Sequence, residues 1–364
     1  MLTRRSFVAG SAALSGAGLA VGGCSDVEEP TYPQLVETTW RHSGDMTPEG
    51  NADLVRYATL AANSHNTQPW KFRVSADRIS ILPDLTRRCP AVDADDHHLY
   101  ASLGCAAENL VQAARAMGKH ADMFVEDGDA SSVDIALSDA APVRSDLFQA
   151  IPKRQCTRAE YDGRAVSTEQ LGMLERAAAS TQVDVLIITD RARMANITDY
   201  VVAGNTAQVA DQAFVEELKA WVRFNEAEAA AKRDGLFTGS SGNPTMPRWF
   251  GSFMFDWFFT AEAENDKYRK HIASSAGIAV FVAKSDDRAR WVEAGRSYQR
   301  FALQATALGL KHAFINQPVE VPDVRPQLAR YLGLAGRRPD LVVRFGYGPE
   351  LPRSLRRPVD QVIA

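Results

Sequence analysis

Four polar clusters hold residue types that could do chemistry. Asn63-Ser64-His65-Asn66 runs into Gln68-Pro69-Trp70. Asn and Gln side chains offer paired donors and acceptors, which suit the edge of a heteroaromatic ring. Lys153-Arg154-Gln155-Cys156-Thr157-Arg158 alternates guanidinium groups with small hydrogen-bonding side chains. That pattern suits a phosphate, which guanidinium grips in bidentate fashion. Asn316-Gln317-Pro318 follows the short apolar run Ala313–Ile315, and Arg353, Arg356 and Arg357 precede Pro358-Val359-Asp360. Taken singly each has a plainer reading: an Arg-rich stretch is also a solvated surface, and Gln-Pro is ordinary turn punctuation. No CxxC, HExxH or clustered His/Cys pattern points to a metal, and the adjacent His97-His98 pair reads as the polar start of a helix.

These clusters fall at the ends of the elements that must position them, where functional residues concentrate. Leu54, Tyr57, Ala58 and Ala61 recur at helical spacing before the first cluster, and Pro69 prevents that helix from continuing. Short strands follow from Lys71 and from Ile79. Asp93, Asp95 and Asp96 supply a capping region for a helix from about His98 to Met117, closed by Gly118. Val133–Leu137 reads as a strand. A similar order then begins again. Ser167-Thr168-Glu169-Gln170 is a capping box, Val183–Thr189 is a β-branched strand, and 190–233 is mostly helical in composition. Ile278–Ala283 is a strand, Asp286–Leu308 a long helix stopped by Gly309, and Ala313–Ile315 and Leu341–Phe345 are strands flanking a short helix at Val324–Leu332. The two long Ala-rich helices are related in character rather than identity, which reads as an internal duplication. The fold class expected is α+β, mainly antiparallel sheets covered by helices. Residues 235–260 stand apart: Gly235, Gly239, Gly242, Pro244 and Pro247 precede a dense run from Trp249 to Phe259. This reads either as a core helix after a loop or as a lid-like insertion whose aromatics cover a planar ligand.

Composition narrows the class. Hydrophobic content of 45% and charged content of 24% describe an ordinary globular chain, and a net charge of −4 gives no reason to expect nucleic acid. The first residues suggest an address. Thr3-Arg4-Arg5-Ser6-Phe7-Val8 reads as a twin-arginine export signal, and the uncharged stretch Val8–Val21 is too short to span a bilayer. Val21-Gly22-Gly23-Cys24 reads as a lipoprotein cleavage box, with a lipid anchor on Cys24. The division expected is a signal over 1–24, a tether rich in Pro, Glu and Thr over 25–50, a first half over 51–150 and a second half over 151–364. After Cys24 come Cys89, Cys105 and Cys156, too few to hold the fold by disulfides.

Together the clusters resemble the flavin-dependent nitroreductase superfamily. Ala62–Phe72 looks like its ring-binding loop, Lys153–Arg158 like its phosphate motif, Phe314–Glu320 like the segment near the reactive edge of the flavin, and Arg356–Val362 like its C-terminal arginine tail. Their order and span, nearly all of the chain from about Asn51, most resemble the fused, double-length Acg family of FMN-binding proteins. The resemblance implies that Asn63, Ser64, Asn66 and Gln68 meet the isoalloxazine and that Arg154, Cys156 and Arg158 meet the phosphate. It implies that Asn316 and Gln317 lie near flavin N5 and that Arg353 and Arg356 complete phosphate binding. Cys156 departs from the usual Ser. The first half has no matching Arg-rich motif, Trp40-Arg41-His42 being the nearest, and the second has no Asn-x-Gln-Pro-Trp. One complete site at an interface between the halves is implied, the other having been erased.

The function implied by the resemblance is that of an exported FMN-dependent oxidoreductase, periplasmic or held at the cell envelope, passing electrons through flavin N5 to a quinone- or nitro-type acceptor. Its other partner would be the twin-arginine export machinery. Nicotinamide is scarce outside the cytoplasmic membrane, so the electron donor stays open. The alternative is an FMN-binding or FMN-sequestering protein with a lidded flavin and little turnover. A further alternative is a lipoprotein that binds some other planar ligand.

Overall fold

Apolar, β-branched runs settle into two four-stranded antiparallel sheets. The first contains β1 (Trp70–Val74), β2 (Arg78–Pro83), β3 (Lys119–Val125) and β4 (Val133–Asp139), in the order β1-β2-β4-β3. The second contains β5 (Val183–Ile188), β6 (Gly277–Ala283), β7 (Lys311–Phe314) and β8 (Leu341–Gly346), in the order β5-β6-β8-β7. The strand order is thus the same in both sheets. Every residue of β6 and β8 is buried, as expected of strands covered on both faces. This computed structural model describes residues 29–42, 50–125, 132–334 and 336–364. The candidate export signal and Cys24 lie outside the described residues. Thr31–Ala364 form one compact unit.

Five helices matter to the site: α1 (Tyr32–Trp40), α2 (Asn51–Thr59), α3 (His97–Ala116), α4 (Arg248–Phe258) and α5 (Arg288–Ala307). In each half a long helix, α3 or α5, lies in the chain between the second and third strands of its sheet. Both end where expected, at Gly118 and Gly309, whose φ values of 77° and 73° suit glycine. The Ser167 capping box is present: its hydroxyl accepts the Gln170 N–H, and Gln170 accepts the Ser167 N–H.

The two long helices pack against each other at two glycines. A Cβ on Gly104 would lie 2.0 Å from the Val292 carbonyl oxygen, and one on Gly295 would lie 1.9 Å from that of Ala101. The contact is reciprocal, as a near-two-fold seam requires. Charged groups along it are paired. Glu108, 2% exposed, takes Arg296 and Arg300 at 3.2 and 3.0 Å, and Gln299 donates to Asn109 at 2.7 Å. Burial pushes the Glu108 carboxyl up, but Arg300 and Arg296 more than offset this and hold it below its ordinary value.

The tether expected over 25–50 is corrected in part. Tyr32–Trp40 is a helix, with Tyr32 and Leu35 buried against Phe237 and Leu355. The Tyr32 hydroxyl donates to the Arg353 carbonyl and the Trp40 indole donates to that of Ser354, at 2.5 and 2.9 Å. The apolar positions Tyr32, Leu35, Val36 and Trp40 share one helix face, which the Pro- and Glu-rich composition concealed. The helical stretch expected over 190–233 is three helices, Arg191–Ala210, Gln212–Trp221 and Glu226–Lys232, interrupted at Val222–Arg223. The strand β3 had no expectation at all, its alternation being imperfect: Lys-His-Ala-Asp-Met-Phe-Val.

Candidate functional site

The loop after α2 is held in an unusual backbone. His65, Asn66 and Gln68 have φ of 46°, 52° and 54°, and only Asp96 and Arg233 join them as non-glycine residues with positive φ among the described residues. Such conformations cost of order 1–3 kcal/mol each and persist only where surroundings enforce them. Here the enforcement is visible. Asn63 Oδ1 accepts the Gln68 N–H at 2.8 Å, and Asn66 Nδ2 donates to the Gly235 and Leu355 carbonyls at 3.0 and 3.2 Å. Gln68 donates to the Arg233 carbonyl at 2.9 Å and accepts the Arg357 N–H at 2.8 Å. The C-terminal tail then joins β1, with Phe72 donating to the Val362 carbonyl and Ala364 to that of Phe72.

A cavity of about 460 Å³ opens beside this loop, lined by Asn63, Ser64, Arg158, Asn316 and Gln317 together with Tyr298 of α5. Met254, Phe255 and Phe258 of α4 form part of its wall. Residues of the expected insertion thus do face the cavity, while Trp249, Phe253 and Trp257 of the same helix point outward, 76%, 51% and 68% exposed. A narrower cavity of about 60 Å³ adjoins it, lined by Asn63, Asn66, Arg154, Cys156, Arg353 and Arg356. Arg158 lines both, as do Asn63 and Phe314. The segment carrying Arg154 and Arg158 is set against the sheet edge by a bridge between Cys156 and His312, with Thr157 donating to the His312 carbonyl at 2.9 Å.

The narrow cavity is strongly positive. None of Arg154, Arg158, Arg353 and Arg356 has an ion-pair partner among the described residues. Arg154 is 3% exposed and its buried Nε has no hydrogen-bond acceptor. Burial, with Arg154 beside it, brings Arg356 down to about 9. Among the described residues the four guanidinium groups face no carboxylate and only the Cys156 sulfur, so the arrangement fits an anionic guest. Arg356 contributes charge rather than a free fork: its N–H groups are taken by the Thr59, Ala61 and Leu355 carbonyls and Asn66 Oδ1. Arg353 donates to Pro152 and Lys153 and lies, like Arg356, over the Trp40 ring.

The expected residues therefore divide. Asn63, Ser64, Arg158, Asn316 and Gln317 meet in the broad cavity, and Asn66, Arg154, Cys156, Arg353 and Arg356 in the narrow one. Gln68 is corrected: it is wholly buried and lines neither cavity, because its amide is consumed in fixing the loop. Asn316 is partly consumed too, accepting the Val342 N–H at 2.8 Å. Sequence reasoning missed His98, Glu320 and Tyr268 in the broad cavity and Trp40 in the narrow one. Trp40 sits in the one N-terminal segment compared with a phosphate motif, yet it is the ring and not Arg41 that reaches the site.

Cys156 is the discordant member. Burial pushes its thiol up, but His312, with Arg154 and Arg158, brings it down to about 5. A thiolate here competes with any anionic guest. Cys156→Ser is therefore expected to tighten the binding of a phosphate-bearing ligand about fivefold at pH 8, with the gain shrinking as pH falls through 5 and the wild-type thiol protonates. Titrations of both proteins at pH 5 and pH 8 check this; equal affinities at pH 8 would remove the thiolate from the account.

No protein-family model matches the chain. Sequence relatives are found. A Mycobacterium tuberculosis H37Rv protein named "Putative NAD(P)H nitroreductase Rv3131" is 26% identical over 322 residues, 85% of this chain and 90% of that one. A second from the same strain, "Putative NAD(P)H nitroreductase acg", is 22% identical over 85% of this chain and 93% of its own. Among solved structures, a Desulfitobacterium hafniense nitroreductase with bound FMN covers 61% of this chain and 98% of its own, at 12% identity and a TM-score of 0.38. At that score the likeness decides nothing further.

Proposed function

We propose that this chain is an FMN-dependent oxidoreductase of the nitroreductase type, formed from two fused units that share one site at their seam. The observation that carries the reading is the pair of joined cavities: a broad one edged by amide and hydroxyl groups runs into a narrow one held by four arginines without an acid. That is the shape and charge of a ring ending in a phosphate. The two mycobacterial relatives support it, each matched over most of its length.

In this reading Arg154 and Arg158 bind the phosphate directly, while Arg353 and Arg356 add charge through a fixed frame. Trp40 packs beneath those two guanidinium groups and excludes water from their far side. Asn63 and Ser64 meet the polar edge of the ring, and Gln317, whose buried Oε1 has no partner, faces it from the other half. FMN when bound would supply two-electron chemistry through N5, passing electrons to a quinone- or nitro-type acceptor. Residues of α4 favour a second reading, since Phe255 and Phe258 line the cavity and could shield a flavin that turns over little.

Export by the twin-arginine route, with lipidation at Cys24, belongs to the same proposal and rests on residues 3–24. Protein recovered from the cell envelope with its signal intact is expected to carry about one FMN per chain, read from the flavin band of its absorbance spectrum. Two per chain would refute the single site. Colourless protein that fails to take up added FMN would refute the flavin. Flavin reduced by dithionite, with no turnover of quinone or nitroaromatic, would favour the second reading.

A further inference from the structure

Four ionisable side chains form an unbroken row from the wall of the broad cavity into the interior. Glu320 and His98 line the cavity, and Glu320 Oε1 lies 3.4 Å from His98 Nε2. His98 Nδ1 is 3.1 Å from His97 Nδ1, and His97 Nε2 is 2.8 Å from Asp340 Oδ1. All are buried or nearly so: His97 is 1% exposed, His98 6% and Asp340 1%. The two histidines do open α3, as their position suggested, but they are enclosed there and every ring nitrogen has a partner. Asp93, whose carboxylate also lies close by, is occupied in capping, accepting the His98 and Leu99 N–H groups at 2.9 Å each.

The geometry fixes which nitrogens carry protons. Asp340 Oδ2 accepts the Ala283 N–H at 2.5 Å, which orients the carboxyl so that Oδ1 faces His97. When Asp340 is ionised Oδ1 accepts, so His97 donates from Nε2 and its Nδ1 is bare. His98 must then donate from Nδ1, because two bare nitrogens 3.1 Å apart would repel. This leaves His98 Nε2 as the nitrogen that gains or loses a proton, at the cavity wall and beside a carboxylate. Its 3.4 Å separation from Glu320 is longer than a good hydrogen bond, so the N–H is available to a guest.

We propose that His98 is the proton donor to the acceptor reduced in this cavity, with Glu320 as its charge partner and Asp340 acting through His97 as its positioning residue. The proposal rests on the FMN-dependent reading. A quinone becomes a hydroquinone by gaining a hydride equivalent and one further proton. The hydride equivalent, with both electrons, is the share of the reduced flavin. The further proton is the share of the protein: the His98 Nε2–H bond breaks, its electron pair stays on nitrogen, and the proton ends on the acceptor oxygen. His98 is left neutral, and water entering the cavity restores its proton beside Glu320.

The surroundings agree with that role. Burial pushes His98 down, but Glu320 and Asp93 more than offset this, against Arg338, and hold it above its ordinary 6.5. His97 is held well below by burial, by the His98 charge and by Arg338, and stays neutral. Glu320 is raised by burial and lowered further by His98, Gln208 and His65, which leaves it ionised. Asp340 is pushed by burial up to about 7 despite its N–H donor, so the inner end of the row also titrates near neutrality. Arg158 and His65 line the same cavity.

Nitrogen-resolved NMR of the histidine rings in the full chain without flavin should find His98 protonated on both nitrogens at pH 6. In Asp340→Asn the cationic form should be lost at that pH. Glu320→Gln, which removes a charge and little volume, should lower the His98 midpoint in the same direction. Stopped-flow reoxidation of the dithionite-reduced FMN protein by p-benzoquinone should slow about tenfold in His98→Gln, less than the full effect of a general acid because water can also supply the proton. Its pH dependence above 6 should disappear. A neutral His98 in the wild type, or a His98→Gln variant with an unchanged rate and pH profile, would overturn the proposal alone. An Asp340→Asn variant with an unaltered His98 would overturn the positioning role. Failure of the chain to bind FMN would overturn the functional reading and this proposal with it.

Discussion

Arg154→Ala is expected to weaken FMN binding by about 30- to 100-fold, ~2–3 kcal/mol, the scale of a charge-assisted phosphate contact. The expectation rests on a side chain that is 3% exposed, has no acid beside it and leaves its Nε without an acceptor. Its remaining contacts are a bond from Nη2 to the Leu60 carbonyl at 3.0 Å and a long approach from Nη1 to the Cys156 sulfur at 3.7 Å. The empty-site stability should respond far less than the affinity. Deleting Arg154 opens a small void but removes a like charge from beside Arg353 and Arg356, both of which it lowers. The ligand-free melting temperature is therefore expected to stay within a degree or two of wild type, while the rise on adding FMN is lost. Flavin titration followed by thermal melts with and without FMN separates the two effects. An unchanged affinity would take Arg154 out of the site. A ligand-free protein that no longer melts cooperatively would make the arginine structural, with the anion secondary.

The candidate site was legible in the chain to the extent that chemistry and spacing coincide. Arg154 and Arg158 stand four apart on one extended segment, and both reach the cavities, because alternating residues on a strand-like segment share a face. Asn63 and Ser64 were legible for a different reason: the helical spacing stops at Ala61, and the polar loop that follows it is where polar side chains converge. Gln68 shows the limit. Its residue type suits a ring edge, but whether an amide faces a guest or its own backbone depends on Arg233 and Arg357, which lie far away in sequence. His98 was hidden by the opposite error. Two histidines at a helix start are ordinary as a surface pair, and only Glu320 and Asp340, brought in from the second half, make them a row. The repeated order of helix and strand was visible through periodicity, and the matching strand order of the two sheets is its counterpart in space. The helical spacing of Tyr32, Leu35, Val36 and Trp40 in α1 is masked by the Pro, Glu and Thr around it.

The seam between the halves is the other place where a single atom should matter. Gly104→Ala is expected to destabilise the chain by about 3–5 kcal/mol, above the usual range for overpacking. The added methyl would meet backbone rather than a movable side chain: the Val292 carbonyl oxygen at 2.0 Å and its carbonyl carbon at 2.8 Å. Gly295→Ala should cost a similar amount, since its Cβ would meet the Ala101 carbonyl oxygen at 1.9 Å. Gly309→Ala serves as the contrast. Nothing lies within 4 Å of that Cβ, so its cost should be only the left-handed backbone penalty of about 1–2 kcal/mol. Thermal melts of the three variants should rank them accordingly, and a Gly104→Ala protein as stable as Gly309→Ala would mean that α3 and α5 are not in close backbone contact. The seam also reaches the site. Ser102 on α3 accepts the Ser64 N–H at 3.3 Å, and Tyr298 on α5 lines the broad cavity. Forcing the helices apart at Gly104 moves both walls at once. FMN affinity should therefore fall in Gly104→Ala and Gly295→Ala even where the folded protein is fully populated, and it should be unchanged in Gly309→Ala, whose helix stop touches neither wall.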